Sequence, residues 1–444
     1  MTDEDQIRDL LERASQLPAE ITPPVGDLIK LGRQERKTRT AQRTLAIGLV
    51  AVLAIVIPPV IRAKNSGPLP QHQSARPHGP TGAQLAKYRW SKLPPSPLGP
   101  RQEPLLVSAG RYVIELGGIG NNGSANDGAA FDLKTRRWRE IAPVEVNVGF
   151  DQAVTAWTGR ELFVTDGVPA NCSPRPNVPG CEPRAGLYDP ATNLWSNTLL
   201  PTEMFGLHPV AVAWTGRVIE LAALNAHRDR LAVGAYNPVT GRWRVITPQL
   251  PAQHRPQLIQ MVATYNRVIL WSEWAGKVEP DGLTDSGIDV FAFTDNGPSP
   301  VAPWRNVTGK WPQGVEVGRP FFTGSSILFP PNMQWCVGRC LQDIELHDGF
   351  FADPGTLRKI TTVPADLADP LGHLIWTGRA IISVFVDDRA PHPVLVNHLD
   401  VYDLATRTWR ALASPGTHTT AFPVWTGSEL LVVTHTGATL ALHR

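Results

Sequence analysis

Charge of one sign is what this sequence most conspicuously lacks. Only 18% of its residues are Asp, Glu, Lys or Arg, and the formal net charge over 444 residues is +2. No basic excess is available to neutralise a phosphate backbone, so nucleic-acid binding is excluded as a main role. The motifs of common hydrolytic and nucleotide chemistry are missing too. There is no nucleophile elbow, no phosphate loop and no His-Glu-x-x-His pair. Cysteine is scarce, with four residues at Cys172, Cys181, Cys336 and Cys340. What the chain has in abundance is repetition.

The tripeptide Trp-Thr-Gly occurs at Trp157-Thr158-Gly159, Trp214-Thr215-Gly216, Trp376-Thr377-Gly378 and Trp425-Thr426-Gly427. Apolar β-formers flank each copy, and glycine supplies the positive φ of a tight hairpin turn. The pattern predicts strand, two-residue Thr-Gly turn, strand. A second signature sets an aromatic residue seven positions before a Trp: Phe131 to Trp138, Tyr188 to Trp195, Tyr236 to Trp243 and Tyr402 to Trp409. In Tyr188-Asp189-Pro190-Ala191-Thr192-Asn193-Leu194-Trp195, Pro and Asp are turn formers, so a second hairpin is predicted. The repeat is therefore four antiparallel strands. Inner hairpins start near Ala109, Thr158, Thr215, Tyr265, Gly324, Thr377 and Thr426, a period of about 50 residues.

These features predict an all-β, seven-bladed β-propeller over residues 88–444. The last blade is short of its outer strand, and Tyr88-Arg89-Trp90-Ser91-Lys92-Leu93-Pro94 has the composition of one. The N-terminal strand is thus expected to close the C-terminal blade. On the paired aromatic and Trp spacing, the region resembles the Kelch-repeat family and the central propeller of galactose oxidase. The Gly-Gly doublet of Kelch blades survives only at Gly117-Gly118. The resemblance does not carry galactose oxidase activity: Tyr188, Tyr236 and Tyr402 belong to the repeat, leaving no set for a copper-radical centre. The Asp boxes of sialidases are absent as well. No cofactor and no metal are expected. The repeat tryptophans read as packing between blades.

Outside the repeats, Leu45–Ile61 contains no charged residue and sits at the short end of what spans a bilayer. Arg33, Arg36, Lys37, Arg39 and Arg43 precede it, and only Arg62 and Lys64 closely follow. The positive-inside bias places the N-terminus in the cytoplasm and the propeller outside. The expected layout is a cytoplasmic tail over 1–43, a transmembrane helix over 44–61, and a Pro/Gly-rich flexible linker over 62–87. The tail pairs an acidic amphipathic helix with a basic juxtamembrane half suited to anionic lipid; the helix is a docking candidate for a cytoplasmic partner. This arrangement resembles membrane-anchored actinobacterial proteins that accompany sigma factors, without their zinc-binding cysteines.

Export makes disulfides reasonable, with Cys172–Cys181 and Cys336–Cys340 as the local pairing among three possible ones. Both pairs fall in segments joining second and third strands, on the face expected to carry every long loop: 118–127, 166–184, 223–230, 274–286, 330–343 and 386–397. Elaborated loops on a rigid scaffold are where binding resides. Candidates there are Trp274 and Trp335, aromatics outside the repeat frame, and the acids Asp387 and Asp388. His208, His254, His373 and His418 each precede an inner strand, at the expected mouth of the central channel. The primary expectation is a non-enzymatic sensor or binding protein that recognises a protein or an envelope glycan on this face. The alternative is a carbohydrate-active envelope enzyme, a lyase or hydrolase, with its site at the channel.

Overall fold

The structure, a computed structural model, describes residues 79–444 except 121–122, 144–149, 151–152, 166–182, 252–253, 265–266, 279–283, 295–304, 307–319, 330–331, 335–344, 348, 354–355, 357–358, 364–372, 388–395 and 417–419. The tail, the predicted span and most of the linker lie outside the described residues. So do all four cysteines, Trp335, Asp388 and His418. Among the described residues no helix is long and apolar enough to cross a membrane.

The fold is an all-β propeller. Six four-stranded antiparallel sheets are built from consecutive stretches of chain, and one more joins its two ends. In chain order, the first sheet comprises Leu105–Ala109, Tyr112–Leu116, Gly128–Asp132 and Arg137–Glu140, and the second Val154–Trp157, Leu162–Thr165, Arg184–Asp189 and Leu194–Leu199. The third is His208–Trp214, Ile219–Leu224, Leu231–Asn237 and Arg242–Ile246. The fourth is Arg255–Ala263, Arg267–Val278, Thr284–Thr294 and Arg305–Asn306. The fifth and sixth open with Phe321–Phe322 and His373–Trp376. The sheet that joins the ends orders Ala421–Trp425, Leu430–Thr434, Thr439–His443 and then Arg89–Leu93. There Trp90 faces Leu442 and Lys92 faces Leu440. Opening the ring therefore means separating a backbone ladder as well as side-chain packing.

Inner and middle strands such as Leu105–Ala109, Ile219–Leu224 and Leu430–Thr434 are buried along their length, outer strands are largely exposed, and an apolar cluster fills every seam. Val107 and Ile114 meet Leu162 and Val164 between the first and second sheets. Val233 meets Leu270 and Phe291 between the third and fourth. Trp271 meets Phe329, and Leu328 meets Trp376, in the next two seams. Val113 meets Leu431 and Val433 where the end-joining sheet returns to the first. Full burial of one such side chain contributes about 1.5–3 kcal/mol, so these clusters are the main stabilising term.

The two sequence signatures are turn chemistry plus packing. In the inner hairpin the turn centre is Gly-x and not Thr-Gly. Thr158 N donates to Glu161 O at 3.0 Å, its Oγ1 accepts from Glu161 N at 2.9 Å, and Gly159 takes φ 93° at the first central position. Threonine closes the turn from outside it, and Thr215, Thr264, Thr323, Thr377 and Thr426 each make the same backbone bond three residues on. In the outer hairpin, Asp189 Oδ1 accepts from Ala191 N at 2.8 Å, and Asn193 closes the turn at φ 61°. Tyr188 then faces Trp195 across the ladder with ring centroids 4.9 Å apart. That Trp donates its indole N–H to Ala142 O at 2.9 Å, in the connection from the preceding sheet. The repeat tryptophans therefore tie neighbouring sheets together.

Two described features refine the sequence reading. The segments expected as long loops are in part β-ribbon: Ile119–Gly120 pairs Gly123–Ser124, Asn332–Gln334 pairs Glu345–His347, and the fourth-sheet ladder runs on through Trp274 opposite Gly287 to Val278 opposite Thr284. All three excursions lie between second and third strands. The end of the segment read as linker is a short capped helix, Gly82–Leu85, which donates Gly82 N to Asp403 Oδ2 at 2.7 Å and buries Leu85 against the sixth and end-joining sheets.

Candidate functional site

The seam between the third and fourth sheets ends in polar chemistry. Along the second strand of the fourth sheet, side chains alternate between faces. Val268 and Leu270 point into the seam cluster, so Ser272 and Trp274 continue the same face toward the ribbon end. On the third strand Phe291 and Phe293 face that cluster, and Asp289 extends their row. Ser272 and Asp289 are direct register partners. His254 arrives from the connection before the inner strand Arg255–Ala263, whose register shifts between Pro256 and Leu258. Such a bulge re-aims the start of a strand.

These elements place the His254 imidazole Nδ1 2.6 Å from Asp289 Oδ2. The histidine side chain is 26% exposed and the aspartate 3%. The Trp274 ring stacks on the imidazole with centroids 3.7 Å apart and planes 6° from parallel. In the tautomer that carries its proton on Nδ1, the ring donates to the carboxylate and keeps a lone pair on Nε2. The carboxylate fixes the tautomer and the indole fixes the ring plane. A histidine so oriented can accept a proton at Nε2. The Ser272 Oγ and Trp274 Nε1 are buried beside it, with no hydrogen-bond partner among the described residues.

A turn of the third sheet completes the surroundings. Asn225 Oδ1 accepts from Asp229 N and Arg230 N, each at 3.0 Å, and Arg228 is held at φ 57°. The half-buried Arg228 donates from Nη1 to Pro256 O at 3.0 Å, and to Gln257 O and Oε1 at 2.9 Å. Burial lowers its pKa. Arg255, next to His254, is exposed.

A second polar group caps the seam between the end-joining and first sheets. Ser96 Oγ donates to Glu115 Oε2 at 2.5 Å, and Glu115 is only 1% exposed. Burial pushes the Glu115 carboxyl up to about 7, against the opposing pulls of the Ser96 hydrogen bond and the Arg101 charge. Arg101 forms a two-pronged pair with Asp127, Nη2 to Oδ2 at 2.7 Å, and donates to Gly117 O at 3.0 Å. That pairing holds the Asp127 carboxyl below its usual range. The connecting strip is stitched across the seam by Ser96 N to Gly437 O and Arg101 N to His435 O. Gly118, at φ 86°, approaches so closely that a Cβ there would meet Gln102 O at 2.7 Å.

The sequence candidates are distributed as follows. Trp274 is buried and turns its ring to His254 instead of to solvent. His208 opens the neighbouring inner strand opposite Leu224; it keeps an exposed surface, and desolvation of the remainder lowers its pKa. His373 opens the sixth sheet's inner strand opposite Val384, and Asp387 ends the next strand opposite Val396. Among the described residues, no group of three His, Cys, Asp or Glu side chains is placed to hold a metal ion. Sequence reasoning missed Asp289, Ser272, Arg228 and Glu115. The available signal was a charge within an apolar strand, as in Ile288-Asp289-Val290-Phe291 and Val113-Ile114-Glu115-Leu116.

The chain matches no family model and no curated protein. Among solved structures it is similar to the crystal structure of oligogalacturonate lyase from Vibrio parahaemolyticus, with 10% identity and a TM-score of 0.49, covering 80% of this chain and 96% of that one. It is also similar to the structure of YjhT, with 13% identity and a TM-score of 0.40, covering 60% of this chain and 84% of that one.

Proposed function

We propose that this protein is a lyase acting on carbohydrate, with His254 as the general base at the inner-strand end of the seam between the third and fourth sheets. One observation carries the reading: the His254–Asp289 pair at 2.6 Å, with Trp274 stacked on the ring. Glycoside hydrolysis needs two carboxyl groups flanking the bond. Among the described residues the site offers Asp289, already engaged by His254. Proton abstraction needs only the oriented imidazole. His254 takes a proton from carbon, the released electron pair forms a carbon–carbon double bond, and the carbon–oxygen bond at the next position breaks. The departing oxygen takes a proton from water.

The wider setting we propose is a seven-bladed, Kelch-type propeller outside the cell, anchored through residues 44–61 with the tail inside. Cys172–Cys181 and Cys336–Cys340 would pin two of its excursions. The test is incubation of the full-length chain with neutral, amino and acidic oligosaccharides. Elimination gives an unsaturated product seen by ultraviolet absorbance, whereas hydrolysis gives reducing ends without it. The reading predicts unsaturated product and its loss in His254→Ala. Reducing ends alone would reject it.

A second reading, recognition of a protein or envelope glycan without turnover, is favoured by the ribbons between second and third strands, which extend one face of the scaffold. It predicts ligand binding that is weakened by trimming the 274–287 ribbon and indifferent to Asp289→Asn.

A further inference from the structure

Among the described residues, Arg228 is a cation without an anion. Its guanidinium is half-buried, and every bond it makes runs from Nη1 to a neutral oxygen: Pro256 O, Gln257 O and Gln257 Oε1. Among the described residues it meets no carboxylate, and neither Nε nor Nη2 has a partner. The contrast with Arg101 and Arg111, each forked onto an aspartate, is direct. The nearest acid in its own turn, Asp229, is turned to Asn225 Nδ2 at 2.6 Å. Withdrawing a guanidinium from water costs free energy unless it is paired. The chain accepts that cost at a residue whose backbone is also in the left-handed region. The two residues it grips lie two and three positions beyond His254. Exposed Arg255 stands between, and Asp289, the carboxylate of that site, is committed to the imidazole.

Chemistry supplies the complementary half. Imidazole is far too weak a base to remove a proton from an ordinary sugar carbon. The step becomes feasible when the carbon is adjacent to a carboxylate whose charge is neutralised, so that the developing negative charge spreads onto its oxygens. A planar guanidinium with two free donors in fork geometry fits a carboxylate. We propose that Arg228 binds the carboxylate of the substrate, and hence that the substrate is an acidic saccharide containing uronic acid units. This rests on the lyase reading and adds to it the substrate class and the residue that selects it.

The experiment is equilibrium binding to the full-length chain of two oligouronides of equal length, one with free carboxylates and one fully methyl-esterified, with inorganic phosphate as a third probe. The wild type should bind the free acid about tenfold or more tightly than the ester, the difference expected from one charge-assisted pair. Arg228→Gln should abolish that preference, and Arg228→Lys, which keeps the charge without the fork, should restore part of it. Circular dichroism of each variant verifies the fold. Phosphate should displace the acid only weakly; tight phosphate binding lost in Arg228→Gln would mark a simple anion site and overturn the saccharide assignment. Equal affinity for acid and ester in the wild type, an undiminished preference in Arg228→Gln, or no binding of the acid would also overturn it. His254→Ala should still bind the acid. If that variant keeps its turnover while the Arg228 dependence holds, the choice of base fails and the substrate class stands.

Discussion

Two seams of the ring end in polar groups above apolar clusters, and they have opposite characters. Where the end-joining sheet meets the first, the central charges are partnered: Glu115 has the Ser96 hydroxyl, Arg101 has Asp127, and the acid is shut away from solvent. The buried His435 Nδ1 and Thr439 Oγ1 there have no hydrogen-bond partner among the described residues. Where the third meets the fourth, His254 is held by Asp289 but stays partly open, and Arg228 meets no carboxylate among the described residues. Paired charges of this kind suit a seam that has only to stay closed. An oriented base, and a cation bonded two and three residues further along the chain that meets no carboxylate among the described residues, suit a seam that receives a substrate. By this contrast the first seam reads as scaffold, and the second is where we propose the site.

The contrast is broken most severely at Asp289. Asp289→Asn removes the group that fixes the His254 tautomer, and turnover should fall about a hundredfold or more while the fold holds. The matching change in the closed seam, Glu115→Gln, should leave turnover near the wild-type rate. Steady-state rates on an oligouronide, with circular dichroism of each variant, compare the two.

Stability should respond the other way round. Asp127→Ala strands the buried Arg101 guanidinium, at a cost of about 1–2 kcal/mol. The shift of the urea midpoint measures it, and Asp289→Asn should move that midpoint less.

Glu115 also gives the closed seam a pH dependence. Its carboxyl is raised in the folded state to about 7, from about 4.3 in the unfolded chain. Between those values the folded state binds a proton that the unfolded state has released. The contribution to stability is therefore complete below about 4.3 and is lost as pH rises through about 7. Glu115→Gln should flatten that slope and raise stability at pH above 7. Denaturation midpoints across this range check the sign.

The smallest effect belongs to the repeat. Thr426→Ala removes a hydroxyl that donates to Glu429 O at 3.0 Å and accepts from Glu429 N at 3.2 Å. It should cost about 0.5–1.5 kcal/mol and leave both seams' chemistry unchanged. Thermal unfolding measures it.

The propeller was legible in the sequence because its signals are local. Trp-Thr-Gly and the seven-residue aromatic spacing each report one hairpin, and one hairpin lies within a few residues of chain. Even so, the turn centre was read one residue early, because threonine's part is a hydrogen bond that composition does not show. The site was only partly legible. His254 and Trp274 were singled out, but as one of four rim histidines and as a stacking surface. Their true relation depends on Asp289, thirty-five residues from His254, and on which face each strand position takes after the bulge at Gln257. A register shift of one residue moves every side chain to the other face, and no local motif reports it. Arg228 was hidden for the same reason: what distinguishes it is the absence of an acid partner among the described residues, a property of the assembled seam.

The most direct measurement is the rate of unsaturated-product formation from a uronic-acid oligosaccharide by wild type, His254→Ala and Glu115→Gln, side by side. The account predicts product from the wild type, a rate near wild type for Glu115→Gln, and a loss of about a hundredfold or more for His254→Ala with the fold intact. Unchanged turnover in His254→Ala, or a loss in Glu115→Gln as large as that in His254→Ala, would contradict it.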